Sequence, residues 1–394
     1  MTSPTPLAGL RVLEFTHMIM GPSAGMALAD LGAEVIKVEP APAGDSTRRL
    51  TGSGTGFYAA FGRGRRSLCV DMKTAEGLAL VQRLAARADV LVENFRPGAM
   101  AKLGLGYEDL AKVNPGLVYA SCKGFLPGPY EHRTALDEVV QMMGGLAYMT
   151  GPTGRPLRAG SSVIDIMGGL SVTVAILSAL RERESTGRGG HVQAGLFESV
   201  ALLMSQHMAQ AHMTGVEPPP MSTRLPAWPV YDIFDTADGG QVFVGVVTDT
   251  SWPIFCNAFG LEDMATDPSL ATKNQRVEAR ARTIPRVAAA LAAYTKAELM
   301  AKCEALGLPF APIGRPAELF DDPHLNGSGG LVPMTLPDGR PIKLPALPVS
   351  IDGARPGGAG DLRPPGADGA AIAAELGYSP AEIAALRAAG VITG

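Results

Sequence analysis

The stretch RAGSSVIDIMGGLSVTVAILSALRERESTGRGGHV, residues 158–192, decides how the rest of the chain is read. Apolar residues fill 166–180 at helix length, Arg181, Glu182, Arg183 and Glu184 close the run, and TGRGG supplies a stop. Asp165 therefore falls near the N-terminus of a core helix. Two readings of that carboxylate stand side by side. The commoner one is a cap that accepts hydrogen bonds from free backbone N–H groups. The other is a nucleophilic carboxylate aimed into a cleft. The apolar run is shorter than the ~18–20 residues that cross a bilayer. It is also broken by Gly168, Gly169, Ser171, Thr173 and Ser178, so no membrane is expected as a partner.

Composition narrows the classes of function. With 394 residues and 46% hydrophobic content, the chain suffices for two or three domains with a sizeable core. The 34 basic and 38 acidic side chains give a formal net charge of -4, which argues against nucleic acid as the main partner. Cys69, Cys122, Cys256 and Cys303 lie far apart, with no CxxC pair and no secretory signal ahead of them, so reduced, buried thiols and a cytoplasmic location are expected. None of the six histidines forms a metal signature, His207 and His212 being five apart and off a common helix face, and no metal is expected.

Outward from the central stretch, the N-terminal part alternates strand and helix patterns. Residues 10–15 read as a strand, Gly21-Pro22-Ser23 as a break, AGMALADLGA as a helix and 34–39 as a second strand. Such a unit implies a right-handed crossover and parallel pairing, hence an α/β, Rossmann-like domain. The first turn lacks GxGxxG, which places a nicotinamide dinucleotide low among cofactors. A glycine- and arginine-rich segment, 44–66, offers Arg63, Arg65 and Arg66 as phosphate ligands, with solvated surface arginines as the alternative. Ligands of open α/β sheets bind at strand carboxyl ends. Strands at 89–93 and 117–121 lead there to Asn94 and Arg96, to Lys102 one short helix later, and to Lys123.

The C-terminal half reads as two further portions. The large domain runs over 1–213, a proline-rich linker over 214–229, a smaller α/β domain over 230–322, and 323–394 rejoins the large domain. The small domain opens with a hairpin, 230–234 and 241–247 about Thr236-Ala237-Asp238-Gly239-Gly240. A loop rich in Gly and Pro, 356–369, precedes two last helices.

These residues carry a family resemblance. In order along the chain, LAGLRVLEFTHMIMGPSAGMALADLGAEVIKVE, GDSTR, RRSLCVDMK, ADVLVENFRPGAMAKLGL, DEVVQMMGG, VIDIMGG and TGRGGHV resemble blocks of the family III coenzyme A transferases, which include formyl-CoA transferase, carnitine CoA-transferase and α-methylacyl-CoA racemase. The resemblance implies two interlocked subunits in a homodimer and no tightly bound cofactor, with a coenzyme A thioester as substrate. It also implies that Asp165 attacks the thioester to give a mixed anhydride and then an aspartyl-CoA thioester, delivering CoA to a free carboxylic acid. Arg65, Arg66, Arg96 and Lys102 would meet the CoA phosphates, Asn94 and Lys123 would line the CoA site, and Met18 and Ile19 would flank the thiol end. Backbone N–H groups near Gly21 and the glycines after Asp165 would face the oxyanion.

Departures from the family shape the expected substrate. Ile19 stands where formyl-CoA transferase has Gln, Phe125 where it has Tyr, and its small-domain glycine loop has no counterpart here. The racemase branch carries a His at the position of Leu136, which cannot move a proton, so α-proton transfer by Asp165 is the second reading behind CoA transfer. The expected acid is a small dicarboxylic or hydroxy acid, with Arg48 or Arg224 to hold its second carboxylate.

Overall fold

Continuous apolar runs flanked by helices suit strands buried on both faces. Val12, Leu13 and Phe15 of β1 (Arg11–Phe15) are fully buried in the computed structural model, which describes residues 3–357 and 360–394. The same holds along β2 (Glu34–Pro40), β3 (Arg65–Val70), β4 (Val90–Glu93) and β5 (Val118–Lys123), and β6 (Gly190–Gly195) ends the row. A seventh strand, Ile392–Thr393, closes the other edge. The order is Ile392–Thr393, β3, β2, β1, β4, β5, β6, parallel throughout except for the last-formed edge strand. Strand order therefore reverses between β1 and β4, and in such sheets the crevice beyond the carboxyl ends at that switch point is the ligand site.

Side chains alternate between two cores. Val12, Val35, Val90 and Val118 face the helices Met20–Asp30 and Val163–Thr186. Leu13, Ile36, Leu91 and Tyr119 face Ala75–Ala85 and the C-terminal helices Gly369–Glu375 and Pro380–Ala388. The first helix begins at Met20, so Gly21-Pro22-Ser23 lies inside its first turn rather than before it. Proline is tolerated there because the N–H it lacks has no intrahelical partner.

The Val163–Thr186 helix is 24 residues long, longer than its apolar run, and by length and composition alone it could cross a membrane. Its Ile164, Val172 and Ile176 are instead fully buried in the core of this unit. Gly168 and Gly169 let it press on the Met20–Asp30 helix: a Cβ on Gly169 would lie 2.5 Å from the Met20 carbonyl and 2.7 Å from the Ser23 Cβ. Those glycines serve helix contact. Gly187, at φ 68°, ends the helix in the left-handed conformation.

The large unit comprises Met1–Ser222 and Phe320–Gly394, and Thr223–Leu319 forms the second unit. In the second, Val230–Asp235 and Gln241–Val246 pair antiparallel, Phe310–Pro312 adds a third strand, and Val242, Val244, Phe255 and Leu299 form its core. The Gly/Pro-rich loop expected at 356–369 includes Gly358 and Ala359, which lie outside the described residues. All four cysteines are buried and free, and burial pushes the Cys69 and Cys303 thiols up to about 11.

Candidate active site

The turn after β1 is built on buried charge. Lys37, 2% exposed, lies between Glu14 at 3.2 Å and Asp45 at 3.1 Å and donates to the Thr16 carbonyl at 2.7 Å. Asp45 also accepts from the Thr47 N–H, and the Thr47 hydroxyl accepts from the Met18 N–H at 3.1 Å. The GDSTR segment thus fixes the backbone of Met18, which sits at φ 65°, a left-handed conformation that a non-glycine residue holds only when its surroundings impose it. Asn94 completes the turn: its side-chain amide accepts from the His17 N–H at 3.1 Å and donates to the His17 carbonyl at 2.8 Å.

Above this turn lies a cavity of about 250 Å³ lined by Met18, Ile19, Asn94, Lys123, Asp137, Arg158 and Asp165, among others. It shares residues with a second cavity of about 410 Å³ about Phe95, Arg96 and Lys123, and meets a third of about 460 Å³ through His17. Together they form a groove along the carboxyl ends of β1, β4 and β5, at the switch point.

Asp165 occupies the first turn of its helix but does not cap it. That role falls to Asp137, from the helix Asp137–Met143, whose Oδ2 accepts from the Ile164 N–H at 2.9 Å and the Asp165 N–H at 3.0 Å. The other Asp137 oxygen accepts from the amide of Gln141, a fully buried side chain whose own oxygen accepts from the Ala159 N–H at 2.8 Å. Among the described residues, no hydrogen bond or ion pair reaches the carboxylate oxygens of Asp165. Burial, and then repulsion from Asp137, push its pKa from 3.8 up to about 7, with Arg158 pulling the other way. A helix N-terminus favours an anion by roughly 0.3–1 kcal/mol. A rise of some three pKa units corresponds to about 4 kcal/mol, so desolvation and like charge win. The result is a half-buried carboxylate without a hydrogen-bond donor among the described residues, its ionisation disfavoured, facing a cavity.

The sequence-selected ligands separate into two groups. Asn94, Lys123, Met18 and Ile19 line the cavity with Asp165, Lys123 being held by Glu93 at 3.0 Å. Arg96 lines the adjoining cavity, and Lys102 is exposed at the end of the short helix Ala99–Lys102, outside all three. The two arginines of β3 line none of the three cavities. Both begin the strand, opposite Val35 and Ile36 of β2. Arg65 is buried, bonded to Glu14 at 2.5 Å and to the carbonyls of Pro22, Phe61 and Arg63, which take four of its five N–H donors. Arg66 joins Arg11, Glu34 and Glu375 in a partly exposed ion-pair cluster. Arg63 forks onto Asp30, and Arg48 onto Glu39, with the Arg48 guanidinium 4.0 Å over Tyr58. Arg224, in the second unit, lies 5.9 Å over the ring of Tyr231. Arg48 does not line the cavity of Asp165.

Sequence reasoning passed over Asp137, Gln141 and Arg158. The first two are four apart on one helix, a spacing that puts both side chains on one face, but only the fold shows that this face meets the start of another helix. Leu136, where the racemases carry His, lines the same cavity and offers no titratable atom.

The profile of CoA-transferase family III matches residues 7–368. Among relatives, the chain is 35% identical to the succinate–glutarate CoA-transferase of Agrobacterium fabrum over 356 residues, 87% of this chain and 89% of that one. It is 35% identical to the succinyl-CoA–D-citramalate CoA-transferase of Chloroflexus aurantiacus over 362 residues, 90% of each. Among solved structures, a CaiB/BaiF family protein from Brucella suis superposes with a TM-score of 0.82 at 34% identity, covering 95% of this chain and all of that one.

Proposed function

The chain belongs to CoA-transferase family III, and from that premise we propose that it carries CoA from an acyl-CoA to a free dicarboxylic acid through covalent intermediates on Asp165. The observation that carries this reading is the uncapped, poorly solvated carboxylate of Asp165 on the wall of the groove. An Asp165 oxygen attacks the thioester carbonyl, and the C–S bond breaks with its electron pair leaving on the CoA sulfur. The thiolate attacks the Asp165 carbonyl of the mixed anhydride, releasing the donor acid as its carboxylate and leaving an aspartyl-CoA thioester. The acceptor carboxylate attacks that thioester and expels the thiolate. The thiolate then takes the acceptor acyl group, restoring Asp165. Thioester and anhydride exchange at similar energy, so covalent capture divides one difficult transfer into easier steps.

Relatives support the acid class: their names specify glutarate, D-citramalate, oxalate, mesaconate and L-malate, all dicarboxylic. Asn94, Arg96, Lys123, Met18 and Ile19 are assigned to CoA, with Lys102 reaching its phosphates from outside the groove. A homodimer is part of the proposal, supported by exposed Val139, Met142, Val174, Leu202, Met208 and Met213 on the large unit.

The test is incubation with succinyl-CoA and a panel of acids in heavy water, read by mass spectrometry. New thioesters without deuterium are expected, together with a CoA adduct on the Asp165 peptide. Asp165→Ala should bind CoA and transfer none. Deuterium gain without new thioesters would replace transfer by α-proton exchange, and normal turnover by Asp165→Ala would remove the nucleophile.

A further inference from the structure

Among the described residues, Arg158 is the one arginine that lines the cavity of Asp165. Its attachment differs from that of the structural arginines in the same unit. Arg63, Arg48 and Arg66 fork onto carboxylates, and Arg65 is held by Glu14 and three carbonyls. Arg158 has no such partner. Its Nε donates to the Ala159 carbonyl at 3.1 Å, its Nη2 reaches Asp137 only at 3.5 Å, and its Nη1 lies 3.9 Å from the exposed Glu138 without a hydrogen bond. Charge-assisted bonds of a guanidinium normally close to about 2.7–2.9 Å.

The reason is that Asp137 is already occupied. Two helix N–H groups hold one of its oxygens and the Gln141 amide the other. The backbone that carries Arg158 is nevertheless fixed on both sides, by the Leu157 N–H to the Ala147 carbonyl at 3.0 Å and by the Ala159 N–H to Gln141 at 2.8 Å. A permanently charged fork is thus held in a reaction cavity with its outer donors open. The other cation there, Lys123, is paired with Glu93.

From this geometry we infer that Arg158 binds the remote carboxylate of a dicarboxylic acyl group while the near carboxyl reacts at Asp165. The inference rests on the reading of Asp165 as the acyl-transfer carboxylate and deepens it. Atoms beyond the thioester carbonyl belong to the acyl chain, so a cation lining the cavity of Asp165 is placed to meet acyl substituents. A carboxylate of planar, two-oxygen shape matches the fork. Arg158 is a specificity residue in this scheme.

The experiment compares wild type, Arg158→Gln and Arg158→Lys, with acetyl-CoA as a donor lacking a second carboxylate and glutarate or butyrate as acceptor. The ratio of kcat/KM for glutarate to that for butyrate should fall about ten- to hundredfold in Arg158→Gln, the loss typical of a charge-assisted bond, with partial recovery in Arg158→Lys. An unchanged ratio overturns the inference, since a role exerted only through Asp137 or Asp165 would slow both acids alike. A second readout is independent of turnover: glutarate binding in the presence of CoA, measured by calorimetry for Asp165→Asn and for Asp165→Asn with Arg158→Gln. A loss of about tenfold or more on removing Arg158 supports the inference even if wild type transfers CoA to neither acid, in which case only the transferase reading fails. Equal binding by the two variants overturns it even if transfer is fast.

Discussion

Replacing Asp165 by asparagine should make the protein more stable at pH 8 while abolishing transfer. The folded-state pKa of Asp165 is raised from 3.8 to about 7 by burial and by Asp137. Well below its ordinary value of 3.8, the side chain is protonated in both folded and unfolded chains, and it contributes no penalty. As pH rises, the unfolded chain gives up its proton while the folded chain keeps it, so stability falls until the folded group also ionises, and above about pH 7 the whole penalty is present. Three units at 1.36 kcal/mol each set a ceiling of about 4 kcal/mol. Solvent reaching Asp165 through the open cavity reduces this to roughly 2 kcal/mol. Asparagine has the same shape and never carries the charge. Urea midpoints of wild type and Asp165→Asn, measured at pH 5 and pH 8, should therefore differ in favour of the variant, with less than half of the gap present at pH 5. A gap that does not change with pH, or a variant less stable at pH 8, would refute the placement of an ionising carboxylate beside Asp137 in a poorly hydrated pocket.

With Asp165 near 7, kcat/KM should drop about tenfold between pH 8 and pH 6 as the nucleophile takes up a proton. Asp137→Asn should move that limb to lower pH, and an unshifted limb in initial-rate profiles would remove Asp137 as its cause. Arg65→Gln strips buried Glu14 of its 2.5 Å partner, so chemical denaturation should show a loss of about 3–5 kcal/mol. Arg66→Gln breaks only a partly exposed cluster at the far edge of the sheet. It should cost less than about 1 kcal/mol and leave KM for acyl-CoA within about twofold, and a tenfold rise would return Arg66 to the CoA site. Gly169→Ala forces a methyl to within 2.5 Å of the Met20 carbonyl and should destabilise by about 1–3 kcal/mol, read from the shift in urea midpoint.

The groove follows from the order of the strands. Strand order reverses between β1 and β4, so the turns after these strands diverge and leave a crevice. Asn94 ties the two turns together, and the Val163–Thr186 helix brings Asp165 to the same crevice through the close glycine contact with the Met20–Asp30 helix. Asp165, a carboxylate that no donor among the described residues reaches, is placed where its ionisation is penalised.

By itself the sequence determined the alternation of elements and the chemistry of single positions. Period and punctuation are local, so the parallel strands, the helix that opens near Asp165, the hairpin at 230–246 and the carboxyl-end residues Asn94, Arg96 and Lys123 were all legible along the chain. The tertiary structure decided which charges are free. Arg65 and Arg158 look alike in sequence, yet Glu14, 51 residues away from Arg65, takes one guanidinium while Asp137, already filled, leaves the other open. That Asp165 does not cap its helix was decided the same way, by Asp137, 28 residues distant in sequence, capping in its place. Local patterns are set by backbone geometry over a few residues, whereas the state of a charged side chain is set by whichever partner the fold brings within about 3–4 Å.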